Sequence, residues 1–446
     1  MSLQGEERKA VIVGLGRTGL AAARFLRARG WRIAVTDSRR EPPGRAELDK
    51  LAPEAEVHCG GFDVALLDGA SLVVASPGIA LAEDIFRIAG ERDIEVVGDI
   101  ELFARATSAD VVGITGTNGK STVTTLVGRM AARAGRDVRT GGNLGPPALE
   151  LIDDREPELF VLELSSFQLE ATESLRLRAA VVLNVTADHM DRYRDLQAYA
   201  DAKARIFKNC GLAVVNADDP YVRAMPAAGQ RVESFSLCAD TSARWCIGEH
   251  AGECWLTCAG EPLLALSQLR LTGLHNAANA LAALALGEAI GLPRDAMLAE
   301  LREFGGLPHR SQWVAERHGV RYVNDSKGTN VGATLAAVAG MPGTVVLVAG
   351  GDGKGQDFSP LATALSGRVR HAVLIGRDAT RIAAVLRAIC PIEICATLEA
   401  AVLAAAVAAQ PGDTVLLSPA CASLDMFKDY AHRGDVFTAA VRSLPA

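Results

Sequence analysis

The chain has 446 residues, of which 49% are hydrophobic and 22% charged, with a formal net charge of −7. That length is too great for one ordinary domain, and the apolar content can fill several cores. The mild acidity, with no long run of Lys or Arg, argues against a general nucleic-acid binder, whose footprint is a basic face.

The opening MSLQGEERKA is polar, has no apolar central region and does not read as a secretory signal. The most apolar stretches, AANALAALALGEAIG and AAVLAAAVAA, are too short to span a bilayer and read as buried core helices. No membrane partner is expected. Nine cysteines, an odd number spread along the chain, fit reduced thiols in the cytoplasm. Cys246, Cys254 and Cys258 lie close in sequence, but without a CxxC pair they read as packing or surface thiols rather than a zinc site.

Along the chain, KAVIVGLG reads as a strand, 18–29 as a helix, and WRIAVTD, SLVVASPG and IEVVGD as further strands. Strand–helix alternation of this kind predicts a parallel sheet covered on both faces. A second α/β segment begins near Ala109, with strands at VVGITG, LFVLELS, AAVVLNV and LAVVNAD. An irregular stretch with short β-like runs, 231–269, leads into the helix HNAANALAALALGEAIG. Gly305, Gly306 and Pro308 then break the pattern. Strands follow at RYVNDS, GTVVLVAGG, HAVLIG and DTVLLSPA. The expectation is three α/β domains, over 1–105, 106–307 and 308–446, without tandem repeats.

Gly14, Gly16 and Gly19 form G-x-G-x-x-G between a strand and a helix. Such glycines permit a tight turn, close approach of a phosphate to a helix N-terminus, and close helix–strand packing. Asp37 ends the next strand, where an acid can accept hydrogen bonds from ribose hydroxyls. The fingerprint predicts a nucleotide site without specifying which nucleotide. Alternatively, the glycines serve only the turn.

The central stretch VVGITGTNGKSTVTTLV departs from the strict G-x-x-x-x-G-K-[ST] pattern, because Ile114 stands where that pattern needs glycine. The physical elements remain: a strand, a loop containing Gly116, Thr117, Asn118 and Gly119, then Lys120, Ser121 and Thr122 opening a helix. Backbone N–H groups would surround phosphates, Lys120 would offset their charge, and the Ser121 hydroxyl could hold Mg²⁺. Glu163 interrupts an apolar strand, a costly position unless the acid is paired or coordinated. The next strand runs into Asp188, His189 and Asp191, which join the candidate site.

The combination of GTNGKST, ELSSFQL, NVTADHMDRY, GLHNAANALAA, GLPHR, NDSKGTN and LLSPACASLDMFKDYAHRG, in this order from end to end, resembles the Mur ligases of peptidoglycan synthesis. The resemblance implies a Rossmann-like N-terminal domain, a central P-loop ATPase-like domain and a Rossmann-like C-terminal domain. It also implies an ATP-dependent ligase, cytoplasmic and monomeric, adding D-glutamate to UDP-N-acetylmuramoyl-L-alanine. By this resemblance the first loop holds the uridine nucleotide and the second holds ATP.

Arg17, Thr18, Asp37, Ser38, Arg39, Ser76, Pro77 and Gly78 match family positions around the uridine diphosphate. Asn143, Ser165 and Gln168 match positions lining the rest of that substrate. Glu163 matches a ligand shared by two Mg²⁺ ions, and His189 a ligand of the second. Lys203 matches a lysine that carries a carbamate, although the spacing after His189 is one residue tighter than the family's. Asn276 and Asn279 match positions near adenine. Arg310, Asp325 and Lys327 match third-domain positions that close over ATP. Thr329, Lys354, Ser423 and Leu424 match the D-glutamate pocket, where Tyr430 replaces a more usual Phe.

Read without the resemblance, AGGDGKGQDF could pass for another phosphate loop, and the N-terminal fingerprint leaves open a nicotinamide dehydrogenase or a non-catalytic nucleotide sensor. The dehydrogenase reading gives Lys120, Glu163 and His189 no role. Within the ligase class, the alternatives are a different amino acid or extension of a folate-like γ-glutamyl chain.

Overall fold

A computed structural model describes residues 8–239, 242–271 and 273–444, so most of the polar opening segment lies outside the described residues. Three sheets carry the fold. The first is wholly parallel, in the spatial order Glu56–Cys59, Arg32–Asp37, Lys9–Val13, Ala70–Ala75, Glu95–Gly98. Lys9–Val13 is buried throughout, as a strand covered on both faces must be. The helix Arg17–Arg27 packs on it because Gly19 has no side chain: a Cβ there would lie 2.0 Å from the Gly14 carbonyl oxygen.

The second sheet has nine strands, with Asp110–Thr115 between Leu159–Glu163 and Ala179–Val182. The helices Lys120–Arg133 and Leu274–Ala289 cover one face with an apolar cluster that includes Val123, Leu126, Leu281 and Leu284. At the far edge the irregular 231–269 stretch resolves into Val232–Ser236, Trp245–His250, Glu253–Cys258 and Glu261–Ala265, the last three antiparallel. Cys246 and Cys258 sit in that meander, Cys258 buried and Cys254 exposed, and no three His, Cys, Asp or Glu converge as a metal site among the described residues.

The third sheet places Thr414–Leu417 between Val320–Asn324 and Val345–Gly350. Here one expectation is corrected. The alanine-rich AAVLAAAVAA helix, Leu398–Ala408, buries only one face: Leu398, Ala401, Val402 and Ala405 are inside, while Leu403 is 56% exposed and Val407 88% exposed. A helix lying on the outside of a sheet has one core-facing stripe, and alanines give the sequence no polar face to reveal the other. The sequence pattern also missed the short strands Glu56–Cys59, Val138–Gly142 and Ile392–Ile394.

In the first two sheets the chain builds strands on one side of the central strand and then crosses to the other, and in the third it returns to insert Thr414–Leu417 last, between two earlier strands. Crevices open at such topological switch points, beyond the carboxyl ends of the strands. The three crevices hold, in turn, Gly14, Asp37 and Ser76; residues 116–121 with Glu163 and 184–189; and residues 325–330, 351–356 and 418–424.

The first two domains are joined by buried polar contacts. The Glu101 carboxylate accepts from the backbone N–H groups of Glu173 and Ser174 at 2.8 and 2.9 Å. Gln168 Nε2 donates to Asp99 Oδ2 at 3.0 Å, while Asp99 Oδ1 is buried without a hydrogen-bond partner among the described residues. Burial pushes the Asp99 carboxyl up from 3.8 to about 6. The folded protein thus holds this proton more tightly than the unfolded chain, and the associated stability is lost as pH rises from about 4 to about 6. Asp99→Asn has no charge to bury. It should raise stability by roughly 2 kcal/mol at pH 8 and have little effect at pH 4, measured as the difference in denaturation midpoints.

Candidate active site

The central strand Asp110–Thr115 delivers the loop 116–119 directly into the helix Lys120–Arg133. Gly119 makes the turn at φ 85°, and a Cβ there would lie 2.4 Å from Asn279 Oδ1. The loop is thus drawn tightly against the helix Leu274–Ala289. Lys120 Nζ curls back to donate to the carbonyls of Gly116 and Thr117 at 2.8 and 2.9 Å.

The neighbouring strand ends in Glu163, which is 2% exposed. Its carboxylate accepts from the Ser121 hydroxyl through one oxygen and from Asn143 Nδ2 at 2.6 Å through the other. Arg310, from the third domain, donates to the same Ser121 Oγ at 2.6 Å. On the opposite flank His189 adopts φ 57°, and its ring meets the edge of Phe167 with centroids 4.9 Å apart. Asp188 lies 3.5 Å from Lys354 Nζ and accepts from Asn330 Nδ2 at 3.4 Å.

Lys203, 1% exposed, projects from the helix Leu196–Ala204, donates to the Gly116 carbonyl at 2.9 Å and sits 4.3 Å above the Tyr199 ring. Burial, followed by the charge of Lys120, pushes the Lys203 ammonium well below its ordinary range, and burial also lowers Lys120. His189 is lowered by burial. Burial would raise Asp188, but Lys354, His189 and Lys120 together hold it below the usual carboxylate range. The centre is therefore a buried, cation-rich pocket around two fixed acids.

One cavity of about 400 Å³ collects these groups. Thr117, Asn118, Gly119, Lys120 and Ser121 form its phosphate-loop wall, with Asn143, Glu163 and Ser165 beside them and His189 and Lys203 behind. The third domain contributes Arg310, Lys327, Thr329 and Lys354, then Ser423, Leu424 and Tyr430. Lys327 Nζ stands 4.0 Å over the Tyr430 ring. Across the phosphate loop lies a second cavity of about 270 Å³, lined by Asn118, Gly119, Thr122, Asn276 and Asn279 together with apolar Leu271 and Ala337. Asp325 borders this cavity; burial pushes its carboxyl up to about 7, against hydrogen bonds from Ser418 and the Ser311 N–H.

Ser38 and Gly78 line a cleft between the first and second domains. Arg17 reaches across that boundary to Glu150 at 3.6 Å from the start of the helix that also carries Thr18. Pro77 turns its carbonyl toward Arg192 of the central domain.

Four residues expected at the site are placed otherwise. Asp37 does not offer a free carboxylate to a ribose: it accepts from the Leu15 N–H at 2.7 Å, the Arg39 N–H at 2.8 Å, and the Arg39 guanidinium at 2.9 and 2.7 Å. Those four bonds fill its acceptor sites, so Asp37 and Arg39 brace the glycine loop. Gln168 does not face the cavity. Its amide oxygen closes a capping box with Ser165 and its nitrogen is bound to Asp99, so it fastens the domain boundary. Asp191 is exposed and borders the interdomain cleft rather than the reaction cavity. Ser76, likewise, donates to the Gly14 carbonyl at 2.6 Å and holds the glycine loop from beneath.

The sequence reading missed Asn330, Tyr199, Phe167 and Arg192. Asn330 caps the helix Val331–Gly340 and reaches both Asn118 and Asp188. An Asn before an apolar helix is a capping signal, and Tyr199 lies one helical turn before Lys203, so both were detectable. Phe167 and Arg192 had no such local signal.

Three family descriptions match consecutive parts of the chain: "Mur ligase MurD-like, N-terminal domain" over 8–98, "Mur ligase middle domain" over 114–287 and "Mur ligase, glutamate ligase domain" over 309–421. The chain is 55% identical over 436 residues to UDP-N-acetylmuramoylalanine–D-glutamate ligase of Nitrosococcus oceani, covering 97% of this chain and 96% of that one. It is 51% identical over 448 residues to the protein of the same name from Pseudomonas syringae pv. syringae, covering all of both. Among solved structures, UDP-N-acetylmuramate-alanine ligase MurC of Thermotoga maritima superposes with a TM-score of 0.62 at 18% identity, over 98% of this chain and 99% of that one. A pseudomurein peptide ligase type C from Methanothermus fervidus gives 0.58 at 17%, over 92% and 96%. These last two share the three-domain architecture. With family matches on all three domains and half-identical relatives over its full length, the chain belongs to the Mur ligase family.

Proposed function

We propose that the protein joins the amino group of D-glutamate to the alanyl carboxyl of UDP-N-acetylmuramoyl-L-alanine, using ATP and passing through an acyl phosphate. One observation carries the reading: Lys120, Ser121, Glu163, His189 and Lys203 of the central domain share a single cavity with Arg310, Lys354, Ser423 and Tyr430 of the third. A phosphate loop facing a cationic pocket on another domain suits a triphosphate on one side and a dicarboxylic amino acid on the other. The names of the half-identical relatives support that choice of amino acid.

In this reading the uridine diphosphate lies along the glycine loop, touching Arg17, Thr18, Ser38 and the 76–78 segment. Asn143 and Ser165 guide the rest of that substrate inward. The adenine enters the cavity of Asn276 and Asn279, while Asp325, Arg310 and Lys327 close over the nucleotide. Thr329, Lys354, Ser423, Leu424 and Tyr430 receive D-glutamate.

The oxygen donors fit Mg²⁺: a hydroxyl and one carboxylate suit a hard ion that keeps waters and shares phosphate oxygens, with the His189 imidazole as a softer additional ligand. Ser121, Glu163 and His189 would hold two such ions, with Lys203 joining as a carbamate; when bound, the ions offset phosphate charge and polarise oxygen. Burial lowers the Lys203 ammonium and so favours the free amine that carbamate formation needs.

The carboxylate is a poor electrophile, so its oxygen first attacks the γ-phosphorus of ATP and ADP leaves. Lys120 and Arg310 lower the repulsion between these anions and stabilise charge on the transferring oxygens. The amine of D-glutamate then attacks the acyl carbon, phosphate departs, and one proton is lost from nitrogen. No residue is assigned as that base, because His189 would serve as a ligand of the bound metal. Water would hydrolyse the acyl phosphate, so the third domain must stay closed during chemistry, with Gly305 and Gly306 as the hinge. We place the reaction in the cytoplasm, in a monomer; nine free cysteines support a reducing compartment.

The test is phosphate release with ATP and Mg²⁺, adding the uridine substrate and candidate amino acids singly and together. Sustained release only with the uridine substrate and D-glutamate together is expected. Equal release with another amino acid, or none in any combination, would overturn the reading.

A further inference from the structure

We infer that Arg192 is a positioning residue that couples occupancy of the N-terminal nucleotide loop to the shape of the reaction cavity. The inference rests on the reading that the first loop takes a uridine nucleotide and the second a magnesium-bound triphosphate.

Arg192 belongs to the turn that presents His189: the N–H groups of Arg192 and Tyr193 both donate to the His189 carbonyl, at 2.9 and 3.1 Å. Its side chain, 15% exposed, leaves the central domain and enters the first. There Nη1 donates to the Pro77 carbonyl and Nη2 to the Ile79 carbonyl, each at 3.3 Å. Nη2 also bonds Glu170 at 3.0 Å, at the end of the helix Ser166–Glu170.

The guanidinium lies 4.2 Å over the Phe167 ring, and that ring meets His189 edge-on. On the other side, the 77–79 segment follows Ser76, whose hydroxyl holds the Gly14 carbonyl. A continuous chain of contacts thus runs from the glycine loop through Ser76, the 77–79 backbone, Arg192 and Phe167 to His189. A planar group with several fixed donors can hold two carbonyls, a carboxylate and a ring face at once, and lysine cannot reproduce that geometry.

The boundary is also held by Glu101 on the backbone of Glu173 and Ser174, by Gln168 on Asp99, by Arg17 on Glu150 and by Gly98 N–H on the Ala171 carbonyl. Those contacts join the domains without touching the His189 turn. Arg192 joins the boundary to the cavity itself. A nucleotide that orders the 76–79 segment would therefore order His189, and by linkage each ligand would raise the affinity of the other by the same factor.

The experiment measures the dissociation constant of Mg²⁺ with a non-hydrolysable ATP analogue, with and without saturating UDP, by calorimetry. UDP is chosen because it has no sugar–peptide arm to touch the triphosphate, so any coupling must pass through protein. The unaltered protein should show at least about 5-fold tightening. In Arg192→Met the ratio should fall to one while UDP affinity stays within about threefold, and Arg192→Lys should recover only part of the coupling. Phe167→Leu provides a second, independent break and should also reduce the ratio. Glu101→Gln, at the same boundary but away from the cavity, should lower the melting temperature and leave the ratio intact. Full coupling retained in folded Arg192→Met and Phe167→Leu, or no coupling in the unaltered protein, would overturn the inference and leave the assigned reaction standing. Failure of the unaltered protein to bind the triphosphate analogue would overturn both.

Discussion

Lys120→Ala should abolish turnover, a loss of at least ~10³-fold, while affinity for the uridine substrate stays within about twofold. The asymmetry follows from geometry. Lys120 sits at the start of the central helix, bonded only to its own loop carbonyls, and the N-terminal glycine loop occupies a different sheet. Removing the ammonium leaves the first crevice unchanged and strips the second of the charge proposed to face the transferring phosphoryl group. Steady-state kinetics paired with direct binding of the uridine substrate would check both halves. Equal loss of binding and turnover would contradict the division of labour between the two loops.

Lys203→Ala should lower turnover by about 10²-fold or more, the scale expected when a group that fixes a metal site is lost. The residue is buried, its ammonium is strongly disfavoured by burial and by Lys120, and the charges of Asp188 and Glu163 oppose that only in part. A buried lysine whose ammonium is disfavoured, beside the cavity proposed to take Mg²⁺, is placed to become a carbamate anion. Incubation with ¹³C-labelled carbon dioxide should give a carbamate carbon resonance in the unaltered protein that is absent from Lys203→Ala. An unlabelled but fully active protein would remove the carbamate from the account, and an active Lys203→Ala would remove the residue.

The two glycine loops and the acid at Glu163 were legible because each breaks a rule of its own segment. Glycines interrupt a strand–helix junction, and a carboxylate interrupts an apolar strand. The third-domain residues were not legible in that way. Thr329, Lys354 and Ser423 carry no local pattern, and only the resemblance of whole motifs brought them to the site. Asp37 and Gln168 show a different limit. Sequence places them at the right ends of the right elements, but whether a side chain meets a ligand or a neighbouring loop depends on partners the pattern does not announce: Leu15, far in sequence, and the adjacent Arg39 for one, Asp99 for the other. Arg192 shows the same limit from the opposite side. Its partners are backbone carbonyls in another domain, which no side-chain pattern announces. The exposed stripe of Leu403 and Val407 was hidden because alanine is at home on either face of a helix.

In the proposed reaction, the cavity between the second and third domains activates a carboxyl group by phosphorylation before the amine attacks. The most direct measurement uses uridine substrate labelled with ¹⁸O in both alanyl carboxyl oxygens, turned over with ATP, Mg²⁺ and D-glutamate, with mass analysis of the products. An acyl phosphate predicts one ¹⁸O atom in the released phosphate and one retained in the new amide. Released phosphate free of label, with amide still formed, would contradict the account.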